Sequence, residues 1–315
     1  MSRFKQAFLR DKLGGRVCLA AFGKHPAWDD HVGLLGDKTE SLALLEDVLY
    51  RRGIAGQVAA GGWRDSRGGV TSVAFNHRFV WSRGEQSLVG VLWPSLDGKG
   101  RGQFPFVCCV QTGMKGAIAV QTYLDGVVQV GAQAREAATQ SELLNVLARG
   151  GPDLGRCQPV GPALPSPAWT SERTQAARDA LSSLAPCIAR SQPTFPPFIA
   201  DNRDAAVRLP PLDEQPSVRL WFYAGFVEQF SPASPISLLI TKAAPAAPVD
   251  CVLGEPGPDA FFCLGAEPEA LPVAPPPGVA ALPERWQANI DGFLAACATG
   301  TMPVPARRRF WQRLS

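Results

Sequence analysis

Short apolar runs punctuated by glycine and proline dominate the chain. Arg16 to Phe22, RVCLAAF, ends at Gly23 and predicts a first strand entering the polar loop GKHPAWDDHVG. From Thr39 onward Leu42, Leu45, Val48 and Leu49 recur at helical spacing, with Thr39 or Ser41 able to cap the start, so a helix is expected to about Arg52. Val80 to Trp93 holds two apolar segments around Arg83, Gly84 and Glu85, the pattern of a β-hairpin whose second arm is Ser87 to Trp93. Pro94 ends that arm, and the aromatic and β-branched run Phe104 to Val110 predicts the next strand. Between them lies a loop with Ser95, Asp97, Lys99 and Arg101 set among Gly98, Gly100 and Gly102, charges carried on an adaptable backbone.

Past Val110 the runs AIAVQTYL and VVQV fit a strand or a helix equally. Ala132 to Ala148 predicts a helix through Ala134, Ala138, Leu143, Leu144 and Leu147, broken near Ser141 and ended by Gly150 and Gly151. A Gly- and Pro-rich connector follows over residues 150–167, then a third helix from Thr170 to Arg190, stopped or kinked at Pro186. The prolines of Gln192 to Gln215 predict an ordered loop, and Val218 to Phe226, VRLWFYAGF, reads as a strongly aromatic strand. Ser237 to Thr241 predicts a short strand and Asp259 to Leu264 a short amphipathic piece. Pro268 to Pro283 is Pro- and Ala-rich, and the tail has helical spacing at Trp286, Ile290, Phe293 and Leu294. These elements predict an α+β fold with a largely antiparallel central sheet, flanked by helices and interrupted by Pro-rich insertions. One elaborated domain is expected over residues 1–315: a motif-bearing core at 16–150, the connector at 150–167, and a C-terminal half at 168–315 that completes the sheet.

Charge narrows the function classes. The 31 basic and 28 acidic residues nearly balance, and the clearest basic cluster, Arg307 to Arg309, is small, which argues against nucleic acid. No apolar run approaches the roughly 18 to 20 residues that cross a bilayer, so no membrane insertion is expected. The opening segment, with Phe4, Phe8 and Leu9 at helical spacing and Asp11 among its basic residues, is a poor secretory signal and reads as a short amphipathic piece. Eight cysteines without a CxxC pair, several inside apolar runs, read as reduced core residues of a cytoplasmic protein.

Two stretches carry candidate chemistry. His25, Asp29, Asp30 and His31 supply two imidazoles and two carboxylates within seven residues, a set that suits zinc, manganese or iron and would serve a metal-dependent hydrolase. The structural alternative has Asp29 or Asp30 accepting backbone N–H groups and His25 packed against Trp28. No GxSxG elbow is present, Cys108 and Cys109 sit where a thiol pKa rises, and DGKGRG lacks the spacing of a phosphate-binding loop. No cofactor is expected.

Read together, the two stretches point to a family. FGKHPAWDDHV, residues 22–32, resembles the amino-terminal signature of the TagF (ImpM) family of type VI secretion accessory proteins, usually FGKLPxxGDF. GVLWPSLDGKGRGQFPF, residues 90–106, resembles its second signature, Gly-x-x-x-Pro-Ser-x-Asp-x-x-Gly-Arg followed by an aromatic and Pro. The matching positions are Gly23, Lys24, Pro26 and Asp30, then Gly90, Pro94, Ser95, Asp97, Gly100, Arg101, Phe104 and Pro105. VRLWFYAG and DAFFCLG look like its later aromatic strand and closing segment. The chain departs from the pattern at His31, where the family has an aromatic, and at Trp28 and Asp29, where small residues and glycine are usual.

The resemblance implies a cytoplasmic, non-enzymatic regulator of secretion-machine assembly, in some members a post-translational brake working through a forkhead-associated scaffold protein. It also implies that the two signatures meet in space, with Asp30 or Asp97 accepting from backbone amides or from Arg101, and with Lys24 nearby. Asp97 and Gly100 are expected to be structural, with Lys24, His31 and Arg101 on the partner surface.

Overall fold

A computed structural model describes residues 13, 15–61, 63, 73–83, 86–158, 170–190, 205–231, 236–265 and 283–299. The opening amphipathic segment, the Pro- and Ala-rich stretch at 268–282 and the Arg307 to Arg309 cluster lie outside the described residues. Eight strands form one antiparallel sheet: β1 (Cys18–Lys24), β2 (His31–Gly36), β3 (His77–Arg83), β4 (Gln86–Pro94), β5 (Pro105–Thr112), β6 (Ala205–Leu209), β7 (Ser237–Lys242) and β8 (Val249–Leu253). Their spatial order is β2-β1-β5-β4-β3-β7-β8-β6, so the C-terminal strands continue the sheet that the N-terminal ones begin. With seven α-helices among the described residues this is an α+β fold.

The central strands are apolar at consecutive positions because helices cover both faces. In β5, Phe106, Cys108 and Val110 enter one core while Val107 and Cys109 enter the other. The first core lies under α3 (Gly116–Glu136), α4 (Gln140–Gly155), α5 (Ser171–Arg190), α6 (Pro216–Phe230) and α7 (Glu284–Ala298). The second lies under α1 (Glu40–Leu45), which runs on through a π-helical segment (Glu46–Ile54) into α2 (Ala55–Ala60), together with a 3₁₀ turn (Pro258–Leu264). Thr39 caps α1 by accepting from Leu42 N at 3.1 Å. Gly90 keeps the second core closed, since a Cβ there would sit 2.4 Å from the Phe79 ring and 2.7 Å from Cys109 Cβ.

The β3–β4 hairpin, the β1 and β5 strands, the Thr39-capped helix and the C-terminal helix all stand where the pattern predicts them. The ambiguous runs after Val110 are α3, and the break before Ser141 falls between α3 and α4, where Thr139 and Glu142 form a reciprocal capping box. Four expectations are corrected. VRLWFYAGF is not a strand but the middle of α6, buried at every position from Val218 to Val227. A helix enclosed on all sides has no polar stripe, so it reads like a central strand. Pro-rich Gln192 to Gln215 contains β6, which among the described residues is an edge strand paired with β8 alone. Gly150 and Gly151 do not end α4, which continues past Pro152 to Gly155, and α5 spans the expected range to Arg190 but is not stopped at Pro186, which lies inside it. All eight cysteines are free thiols, seven of them buried and Cys157 exposed. No helix among the described residues is long and apolar enough to cross a membrane.

Candidate functional site

Because β1, β5 and β4 are neighbours in antiparallel order, the loop after β1 and the loop between β4 and β5 leave the sheet at the same end. Gly23 holds a φ of +118°, and a Cβ there would lie 2.2 Å from the Pro105 carbonyl oxygen, so only glycine admits this approach of β1 to β5. Pro94 and Pro105 face each other at the last rung of the β4–β5 ladder, where Pro removes no needed interior hydrogen bond.

Asp97 is the hub. One carboxylate oxygen accepts from the amides of Lys99 and Arg101, each at 3.0 Å, which closes its own loop into a turn around Gly100 at φ +78°. The other oxygen accepts from Lys24 Nζ at 2.6 Å and Arg101 Nε at 2.7 Å. Burial alone would raise this carboxyl, but the Lys24 ammonium, the Arg101 and Lys99 amides and the Arg101 guanidinium outweigh it and hold it well below the usual carboxylate range. Lys24 also reaches Asp30 Oδ1 at 3.3 Å. Arg101 donates to the Asp29 carbonyl at 2.7 Å, and Gly98 N donates to the Trp28 carbonyl at 2.7 Å. A side chain at position 98 would collide with that opposite loop, 2.8 Å from an Asp29 carboxylate oxygen. Residues seventy or more positions apart are thus stapled by one buried ion pair and two bonds to backbone carbonyls.

Lys24 is the correction here. Expected on the surface, it is 2% exposed, because it is the last residue of an all-buried strand and turns its ammonium under the loop toward Asp97. His31 and Arg101 do keep exposed side chains. His31 donates to or accepts from Tyr50 Oη through Nδ1 at 2.7 Å and stacks edge-on against Phe104 at 4.7 Å between ring centres. Burial, then the neighbouring Lys24 charge, push its pKa below the ordinary imidazole value, so the ring is neutral at pH 7. Tyr50 gives no sign of this role in the sequence, where it is one more apolar position in a helix.

The four groups proposed as metal ligands take up separate tasks. His25 is buried, with Nε2 2.9 Å from the Ala134 carbonyl and Nδ1 accepting from Ala27 N at 3.1 Å, so both ring nitrogens are committed; its ring lies 5.4 Å from Trp28. Asp30 accepts from His31 N at 2.8 Å in addition to Lys24. His31 lies half-exposed against Tyr50 and Phe104, which border the second core, whereas His25 packs against Phe106 of the first, and Asp29 stands apart over Gly98. Among the described residues no group of three or more His, Cys, Asp or Glu is placed to hold a metal ion.

What remains outward on the stapled loops is a compact mixed surface. Leu96 is 51% exposed, an unusual state for a large apolar residue on a loop this firmly held; Lys99, Arg101 and Gln103 of the same loop and Asp29 and Asp30 of the facing loop are exposed as well. Pro26 is also exposed, while half-buried Ser95 bonds only weakly to the Leu96 carbonyl and makes no bond to the facing loop. A scan against protein-family models finds no match for the chain, and a search of the curated proteins finds none either.

Proposed function

We propose that the chain is a non-enzymatic accessory protein of type VI secretion that acts in the cytoplasm by binding a protein partner through its two stapled loops. The observation that carries this reading is the convergence of the signature positions: Lys24, Asp30, Asp97 and Arg101 bond to one another across the two stretches that resemble the TagF family. A buried Lys24–Asp97 pair tied to the exposed Asp30 and Arg101 suits a rigid platform that presents side chains outward. Leu96, exposed on the same loop as the exposed charges of Lys99 and Arg101, supplies an apolar centre with charges beside it in the chain, the arrangement of a protein-contact site. The partner that the resemblance points to is a forkhead-associated scaffold protein of the secretion machine.

The test is co-purification from a bacterium that carries such a machine, comparing wild type with Leu96→Asp/Lys99→Glu. Neither side chain belongs to the buried cluster, so the double variant keeps its fold. Loss of the secretion components from the captured set, with unchanged thermal stability, supports the reading; undiminished capture, or capture of no secretion component by wild type, overturns it.

A further inference from the structure

Beyond that reading, a groove of about 500 Å³ runs where the start of the π-helical segment meets β2. Every residue from His31 to Leu35 lines it, so it follows the strand, and Glu46 lines it from the helix. Its chemistry centres on that glutamate. Glu46 opens the π-helical segment, and its side chain is only 10% exposed. Residues five apart align in such a segment, and Arg51 accordingly donates through Nε and Nη2 to Glu46 Oε1, at 3.2 and 2.8 Å. Both bonds end on one oxygen. The other, Oε2, accepts no hydrogen bond among the described residues and is not sealed from solvent.

A mostly buried carboxylate with one unused oxygen can hold a second cation. Asp97 shows the arrangement within this chain, a single oxygen of it accepting from both Lys24 and Arg101. Lys38 also lines the groove, but it is exposed and makes no ion pair among the described residues, so it does not take the free oxygen. Arg51 holds Glu46 without lining the groove. Gly33 keeps the approach open. It stands at the register shift of β2 against β1, yet its φ lies outside the left-handed region, and a Cβ there would meet only Glu46 Oε1, at 3.8 Å. Neither backbone nor packing demands glycine at this position, and any side chain would project beside the carboxylate. A glycine inside a strand weakens it and often marks a place where a ligand or another chain comes close. Trp28 and Leu34, both partly exposed, add apolar lining suited to the methylene stem of a long basic side chain.

We infer that this groove takes up an arginine or lysine side chain from an extended segment of a protein partner, with Glu46 Oε2 accepting from its guanidinium or ammonium group. Charge complementarity selects a cation, and a groove that follows a strand for five consecutive residues suits a length of chain better than a compact molecule. The inference stands on Glu46 and Gly33 rather than on the stapled loops, and its test requires no secretion component.

The probe is a capped pentapeptide with a central arginine between apolar residues, titrated into the full-length chain and followed by the backbone amide signals of His31 to Leu35 in nitrogen–proton correlation spectra. Saturable shifts centred on Gly33 are expected. The same peptide with citrulline, which keeps the shape and loses the charge, should bind about tenfold or more weakly, as should the arginine peptide to Glu46→Gln. Gly33→Val fills the groove without removing either member of the Glu46–Arg51 pair, and it should weaken binding to the same degree, which keeps the test decisive if Glu46→Gln loses its fold. Arg51→Gln releases Oε1 and should tighten binding. Absence of shifts in these amides, equal binding of the citrulline peptide, or undiminished binding to a folded Gly33→Val overturns the inference. Free agmatine that binds as tightly as the peptide overturns the assignment to a side chain carried on a partner.

Discussion

Glu228 gives a pH experiment whose size follows from its surroundings. It stands on α6 and turns its carboxylate toward the first turn of α3, accepting from Gly116 N at 2.5 Å and from Ala117 N at 3.4 Å. A Cβ at Gly116 would lie 2.7 Å from this carboxylate and 3.0 Å from Ser82, so the pocket is tightly filled. Burial is the dominant influence and outweighs the two amides, raising the carboxyl from 4.5 to about 7. A raised folded-state pKa means that folding favours the proton. The stability it contributes is fully present below pH 4.5 and is lost as pH rises through 7. Two to three pKa units correspond to about 3 kcal/mol at 1.36 kcal/mol per unit, a ceiling because the residue keeps some contact with solvent. Glu228→Gln fixes the neutral state while leaving an oxygen to accept from Gly116. Urea unfolding of both proteins at pH 5, 6, 7 and 8 should therefore give near-equal stability at pH 5 and a growing advantage for the glutamine variant, approaching about 3 kcal/mol at pH 8. The difference between the two isolates this group from every other titration in the chain. A pH-independent difference, or a glutamine variant that loses ground as pH rises, refutes the reasoning and would mean that the helix N-terminus holds the carboxylate charged.

Asp97→Asn should loosen both loops together, and hydrogen exchange at the Lys99 and Arg101 amides should accelerate about tenfold or more while the β4–β5 ladder stays protected. Because Asp97 and Asp30 are held below their ordinary pKa, their contribution is present above about pH 4 and is lost as pH falls, so the same amides should open in acid before the sheet does. Gly90→Val overfills the second core against Phe79 and Cys109 and should cost about 1–3 kcal/mol or more in urea unfolding. Thiol labelling of the folded chain followed by mass mapping should modify Cys157 quickly and the other seven cysteines only after unfolding, since burial shields them and raises the thiol pKa of Cys108, to about 12, and of Cys109.

The strands and helices that face solvent on one side were legible from periodicity, because one buried face imposes a repeat of two or 3.6 residues. The failures share one cause. Where an element is enclosed on all sides the repeat vanishes, and α6, with Arg219 itself buried and its guanidinium spent on the carbonyls of Asp213, Lys242, Ala244 and Pro245, gave a run of apolar residues with nothing to mark its period. Proline misled for a related reason. Pro186 and Pro152 sit inside helices whose neighbouring residues, Ala185 and Cys187 in one and Leu147 and Leu154 in the other, pack in the first core; that packing offsets the missing hydrogen bond, and no local rule registers it.

The site was legible in a different way. Residue type showed only charges on an adaptable glycine-rich loop; it was the resemblance that implied Asp30 or Asp97 accepting from backbone amides or from Arg101, with Lys24 nearby. Exposure was the part that sequence could not supply. A lysine at the end of a strand normally carries its charge into water, and burying it is favourable only with a carboxylate already fixed in place. Here that carboxylate is seventy-three residues away and is itself fixed by two amides of its own loop, so Lys24 and Asp97 each make the other's burial possible. This mutual dependence assigns the cluster to holding the loops together, so the proposed recognition is to be tested at exposed side chains outside it, Leu96 and Lys99 first, whose substitution alters the surface without disturbing the hub.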